Sequence, residues 1–346
     1  MKQLGNTLYI TRQGTYVSRD GTNVVISQDR KELLRLPVHT IASIVCFGNV
    51  LVTPFALGLC GDNHVAVSFL TENGHFMARS TGAQSGNILL RRAQHRFSMD
   101  DTLRAVAARA FVAAKIANTR ILLLRFMRDH PDIAKNTELS RVTRYLALQL
   151  RLLQYSSRAD SMDVIRGMEG DAARETFGIY NCLILGASDD FFFTQRSRRP
   201  PLDNFNAMLS FFYTILAHEC TAACESVGLD PQMGFLHADR PGRPSLALDL
   251  MEEFRPWMVD RFVFRQINLG QVKGSDFIKH ENGAVEIKEN MRRELLKQWQ
   301  DRKKESLQHP FIGEKMMIGQ IPFVQAQLFA RWLRGDLDAY PPFFYK

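Results

Sequence analysis

The chain has 346 residues, room for two compact units with sizeable cores against a soft expectation of roughly 150 residues per domain. Hydrophobic residues at 45% and charged residues at 23% exclude a disordered or fibrous chain. Lys and Arg outnumber Asp and Glu by 44 to 36, and the net charge of +8 favours a polyanionic partner without specifying one.

The opening segment Met1 to Asn6 lacks the apolar stretch of a secretory signal, and no apolar run approaches membrane-spanning length, so a cytoplasmic protein is expected. Residues 1 to about 85 read as β structure. Leu8 to Ile10, Thr15 to Val17 and Asn23 to Ile26 are short and rich in β-branched and aromatic residues, with Asp20-Gly21 as a hairpin signal. Longer apolar runs follow at Ile41 to Phe47 and Val65 to Leu70. Between them, Thr53-Pro54 reads as a cap and first position of a short helix through Cys60. The polar connector Thr81 to Gly86 separates a β-rich unit, residues 1–85, from a helical unit, residues 86–346, so the expected class is α+β with a larger all-α second domain.

From Ser98 the period becomes helical, with Leu103, Val106, Ala110, Phe111, Ala114 and Ala117 on one apolar face and Arg104, Lys115 and Arg125 largely off it. Breaks are expected near His130-Pro131, Arg198 to Pro201, Gly228 to Pro231 and Ala238 to Pro244. Cys46, Cys60, Cys182, Cys220 and Cys224 form no CxxC pair and read as buried thiols. His218, Cys220 and Cys224 share one apolar helix without a second ligand pair, so they read as core rather than zinc ligands. The basic run from Arg292 to Lys304 suits either a DNA-facing helix or an exposed amphipathic one. Four aromatics in Tyr340 to Lys346 predict a segment that docks, on its own domain or on a partner.

Three segments carry candidate chemistry. Glu169 stands between Gly167 and Gly170 in a helical pattern, where each interior glycine costs about 1 kcal/mol relative to alanine. The glycines suit either close approach of a metal with a phosphate or tight helix packing beside a solvated Glu169. His237 ends an apolar run as it enters an arginine- and proline-rich loop, where a histidine is more often a capping or packing residue than a metal ligand. Ser245 reads as the N-cap of a helix in which Asp249 shares a face with Glu252, three residues on, and with Glu253, four residues on; spacing does not choose between the two. Carboxylates and one imidazole suit Mg²⁺ or Mn²⁺ acting on phosphate. Arg196, Arg198 and Arg199, on a proline-stiffened loop before a helix, suit phosphate contacts or a solvated loop. No GxxxxGK[ST], GxGxxG or GxSxG motif is present.

In this order, GMEGDAARETF around Glu169, RSRRPPLDNFNAMLSFFYTIL from Arg196 and GFLHADRPGRPSLALDLMEEFRP around His237 resemble the large subunit of the CRISPR adaptation integrase, most of all its type I-C form. The resemblance runs from Leu8 to about Asp301. It implies a homodimer through the β-rich domains, a small adaptation subunit as partner, and double-stranded and branched DNA as substrate. It also implies that Glu169, His237 and Glu252 are the metal ligands, with Asp249 a further catalytic acid and Asn206, Tyr213 and Arg255 near the site as DNA-binding residues. Many relatives carry aspartate where this chain has Glu252. The implied reaction is attack by a DNA 3′-hydroxyl on a phosphodiester of a CRISPR array, with water as nucleophile making the same site a nuclease. A nuclease for branched DNA in repair and a non-enzymatic basic DNA-binding protein are the competing readings.

Overall fold

A computed structural model describes residues 6–72, 76–83, 88–134, 137–155, 161–186 and 189–345. Its first part follows the turn chemistry of the sequence: β1 (Thr7–Ile10), β2 (Thr15–Asp20), β3 (Asn23–Gln28), β4 (Lys31–Pro37), β5 (Ser43–Phe47), β6 (Val50–Val52), α1 (Pro54–Asp62), β7 (Ala66–Leu70) and β8 (Phe76–Ser80). Gly21, at φ 57°, turns the hairpin in which Asp20 pairs with Asn23. Thr53 caps α1, its hydroxyl accepting the Ala56 N–H at 3.2 Å. β4 carries no sequence signal because it is a sheet edge, with charged residues and an exposed Leu33 and Leu34.

The strands form two four-stranded sheets, ordered β4-β3-β2-β6 and β1-β5-β7-β8, the second parallel except at β8. Val17, Val24, Ile26, Ile44, Cys46 and Val67 close the core between them with Ala56, Leu59 and Cys60 of α1. β5 is buried on both faces: Ile44 and Cys46 enter this core, while Val45 and Phe47 enter the core of the helical part. That is why Ile41 to Phe47 shows no alternation.

The remainder contains α2 (Ile88–Met99), α3 (Asp101–Asp129), α4 (Pro131–Ala134), α5 (Thr137–Tyr155), α6 (Met162–Gly178), α7 (Asn204–Ser226), α8 (Ser245–Glu252), α9 (Arg261–Asn268), α10 (Glu289–Lys304) and α11 (Ile321–Arg334). Asp100 caps α3 by accepting the N–H groups of Thr102 and Leu103 at 2.9 and 3.0 Å. α7 is long and apolar enough, by length and composition, to cross a membrane; here it is the central core helix, burying Phe205, Met208, Phe212 and Leu216. Of the expected connector, Thr81 to Ala83 are described and residues 84–86 lie outside the described residues.

The helical part is not all-α. β9 (Phe277–Lys279) pairs antiparallel with β10 (Val285–Ile287), and β11 (Ser306–Gln308) with β12 (Lys315–Met317). Three residues per strand are too few for a period of two to register against a helical background. The aromatic tail docks on its own chain: Tyr340 and Phe343 are buried, and the Tyr345 ring stacks on Trp257 at 4.9 Å and 6°.

Candidate active site

The loop carrying His237 is held from both sides. Fully buried Asp249, on α8, accepts the N–H groups of Phe235 and Leu236 on Oδ2, at 2.6 and 3.0 Å, and that of His237 on Oδ1 at 2.9 Å. Arg104 donates to the Phe235 carbonyl at 2.9 Å and Arg166 to the Leu236 carbonyl at 3.0 Å. Gly234 allows the loop to pass this close, since a Cβ there would lie 2.5 Å from that of Ser245. Asp249 Oδ1 is also 2.6 Å from His237 Nδ1. This contact places the ring proton on Nδ1 and leaves Nε2 as the ligating nitrogen, the arrangement in which a carboxylate orients a metal-binding imidazole. Asp249 therefore acts through His237, with both its oxygens already engaged.

Glu169 comes from α6 and Glu252 from the end of α8, and both turn toward Lys115 of α3. Lys115 Nζ touches Glu169 Oε1 and lies 2.8 Å from Glu252 Oε2. Arg255 Nη1 donates to Glu252 Oε1 at 2.8 Å and Oε2 at 3.1 Å. Burial raises the Glu252 pKa, but Arg255, Lys115 and His237 outweigh it and hold the carboxyl well below its ordinary range. Glu169 is more open, with its side chain 27% exposed against 4% for Glu252. A Cβ on Gly167 or Gly170 would meet nothing within 4 Å, so these glycines do not serve tight helix packing; they leave the approach to Glu169 clear.

Glu253 points away from this cluster. It is fully buried and accepts from Tyr340 OH at 2.6 Å, the Phe343 N–H at 2.8 Å and Gln325 Nε2 at 3.0 Å. Burial pushes its carboxyl up to about 7, against the lowering effect of those donors. Of the two acids that spacing left open, only Glu252 faces Glu169.

After α8, the wide π-helical turn Arg255–Asp260 contains Pro256, which has no N–H for the regular ladder. Asp260 accepts hydrogen bonds from Tyr213 OH and, at 2.8 Å, from Tyr180 OH. Its carboxyl is raised, burial outweighing Arg255 and the two phenols. The Arg255 guanidinium lies 4.3 Å from the Tyr213 ring centroid and that of Arg196 lies 5.4 Å from it. Arg196 donates to Asn206 Oδ1 at 2.7 Å and Ser210 Oγ at 3.0 Å.

These contacts correct part of the expected DNA surface. Asn206 is fully buried, with its amide spent on Arg196, Asp203 and the Gln195 carbonyl, and Tyr213 is 8% exposed. Both position neighbouring arginines instead of offering a surface to DNA. Arg198 and Arg199 are exposed. The basic run of α10 is partly structural: Lys303 pairs with Glu219 at 2.6 Å, and Arg302 donates to the Trp257 carbonyl at 2.8 Å.

Residues 8–301 match the family model of the CRISPR associated protein Cas1. The chain belongs to the Cas1 family. A CRISPR-associated endonuclease Cas1 from Chlorobaculum tepidum is 48% identical over 346 residues, covering 100% of each chain. Among solved structures, a casposase bound to integration product superposes with a TM-score of 0.83 at 24% identity, covering 99% of this chain and 94% of that one. A Cas6-RT-Cas1--Cas2 complex contains a chain with a TM-score of 0.82 at 22% identity, covering 99% of this chain and 36% of that one. At these identities the structural likeness concerns the fold, an amino-terminal β region followed by a helical region.

Among the described residues of this Cas1 chain, no three His, Cys, Asp or Glu side chains stand close enough together to hold an ion as placed. The point where Glu169 and Glu252 converge is held by the Lys115 ammonium. The donor set itself, two carboxylates and an imidazole oriented through its other nitrogen, fits a hard or borderline divalent cation. His218, Cys220 and Cys224 lie on α7, with both thiols buried and in no disulfide. Sequence reading missed Lys115, Asp260, Arg104 and Arg166. The available signal for Lys115 was a cation between two buried residues, Ala114 and Ile116, but its partners lie on other helices, where local spacing gives no information.

Proposed function

We propose that this chain is a divalent-metal-dependent DNA endonuclease and integrase of CRISPR adaptation, of type I-C, inserting captured DNA into a repeat array. The observation that carries this reading is the convergence of Glu169 and Glu252 on the Lys115 ammonium, beside a His237 oriented by Asp249. The similarity to a CRISPR-associated endonuclease from Chlorobaculum tepidum and the likeness in fold to a casposase bound to integration product support the same chemistry.

Glu169, Glu252 and His237 Nε2 would hold Mg²⁺ or Mn²⁺, which supplies charge stabilisation at the phosphoryl oxygens. Arg255, held between Glu252 and the Tyr213 ring, keeps a fixed positive charge beside that point. The exposed Arg198 and Arg199 bind flanking phosphates. In strand transfer the 3′-hydroxyl loses its proton and forms a new O–P bond, while the bond to the leaving 3′-oxygen breaks and that oxygen takes up a proton to become the new 3′-hydroxyl. Water in the same position gives hydrolysis. The chain works as a cytoplasmic homodimer joined through its β-rich unit of residues 1–85, with a small adaptation subunit like that in the Cas1–Cas2 assembly of a structural neighbour.

The test is strand transfer and cleavage of labelled branched DNA by the purified protein, with and without the small subunit. Activity that requires Mn²⁺ or Mg²⁺, is lost in EDTA, and disappears in Glu169→Ala and His237→Ala with DNA binding retained is the expected result. Full activity in either variant overturns the assignment, and strand transfer without the small subunit removes that partner from it.

A further inference from the structure

We propose that Lys115 is a resident counter-cation which occupies the point between Glu169 and Glu252 and withdraws toward Asp260 when a divalent cation takes its place. This rests on the metal reading above and assigns the lysine a positioning role within it.

The geometry is specific. Carboxylates from two separate helices converge on one ammonium, and without a cation between them they would repel. Glu252 already has Arg255, so its contact with Lys115 adds a second cation to an acid that has one; Glu169 pairs with Lys115 itself. An ammonium and a small divalent ion both occupy such a point, but the divalent ion binds at shorter distance and adds a charge. Lysine is suited to give way because its charge is compact and its four-carbon stem is flexible.

It also has somewhere to go. A cavity of about 30 Å³, apolar over most of its lining but bordered by Lys115, Tyr213, Arg255 and Asp260, adjoins the site. That volume suits an ammonium or a single water but not a guanidinium. The buried Asp260 carboxylate supplies an acceptor there, having used its oxygens on one phenol each. Retaining Lys115 nearby after exchange would leave the site more positive by the charge of the incoming ion, which favours a phosphate diester at that moment and not before.

The experiment is Mn²⁺ titration by calorimetry on full-length wild type, Lys115→Met, Lys115→Arg and Glu169→Gln, with circular dichroism to verify folding. Lys115→Met is expected to bind Mn²⁺ at least about 10-fold more tightly than wild type, having lost its competitor. Its melting temperature without metal should fall below wild type, and Mn²⁺ should raise it by more. Lys115→Arg keeps the charge but cannot enter the cavity, so it should bind Mn²⁺ at least about 10-fold more weakly. Wild-type binding that depends on Glu169, with Lys115→Met no tighter or Lys115→Arg unchanged, overturns the exchange while leaving the metal reading intact. Absence of Glu169-dependent binding in every variant overturns both.

Discussion

Glu252 and Glu253 are adjacent in the chain and serve opposite faces of the fold: Glu252 meets Lys115 at 2.8 Å, and Glu253 meets Tyr340 OH at 2.6 Å. Their substitutions should separate accordingly. Glu252→Ala is expected to keep its fold and lose Mn²⁺-dependent cleavage by more than the roughly 100-fold typical of residues that only support a ligand. Glu253→Ala should instead lower stability by about 3 kcal/mol, because it leaves buried donors without an acceptor. Urea unfolding and cleavage assays on the pair decide this; an active Glu252→Ala beside a folded but inactive Glu253→Ala would reverse the assignment.

Asp249 acts on the site through His237. Asp249→Asn replaces an acceptor of the Nδ1 proton with an amide, so Mn²⁺ affinity should fall by about 10–100-fold. DNA affinity measured without metal should stay at the wild-type level, since Asp249 is fully buried.

Glu253 also makes stability depend on pH. Its carboxyl is raised in the folded chain to about 7 from an ordinary 4.5, so the folded state binds the proton more tightly than the unfolded state. The stabilisation is fully present below pH 4.5 and is lost as pH rises through about 7. Denaturation midpoints of wild type minus those of Glu253→Gln should therefore decline across that window, and a flat difference would count against it.

The docked aromatic tail should be measurable by single substitution. Phe343 is fully buried against Phe254 and Trp257, so Phe343→Ala is expected to cost about 3–5 kcal/mol in urea unfolding. Removing residues 340–346 should destabilise further, because it also strips the Tyr345 ring from Trp257.

DNA affinity should come from many phosphate contacts. Binding is expected to weaken linearly on a log–log plot against salt, and Arg198→Ala or Arg199→Ala should each reduce the slope by about 0.9. A slope unchanged in both would move the DNA path away from the Arg196–Pro201 loop.

The sequence made some of this legible, for physical reasons. Asp20-Gly21 and Thr53-Pro54 carry local chemistry that favours a turn and a cap, and those features formed. β4 lies on an exposed edge, and β9 through β12 have only three residues each, so neither produced a pattern. At the site, Glu169, His237 and Glu252 are proposed on the resemblance and on donor chemistry. The choice between Glu252 and Glu253 was not reachable locally, because it depends on Phe343, 90 residues further on. Lys115 stayed hidden for the same reason, 54 residues before Glu169.

β5 has a consequence for strand alignment. A strand with one wet face is kept in register by polarity, since slipping one residue would bury its polar side. With Ile44 and Cys46 in one core and Val45 and Phe47 in the other, β5 lacks that safeguard, and a slip would exchange one apolar set for another. What distinguishes the two alignments is side-chain volume: a slip would put a phenyl ring in the place of the buried Cys46 thiol and a smaller side chain in the place of the buried Phe47 ring. Enlarging Cys46 and shrinking Phe47 together would blur that difference and give the strand two nearly equivalent seats.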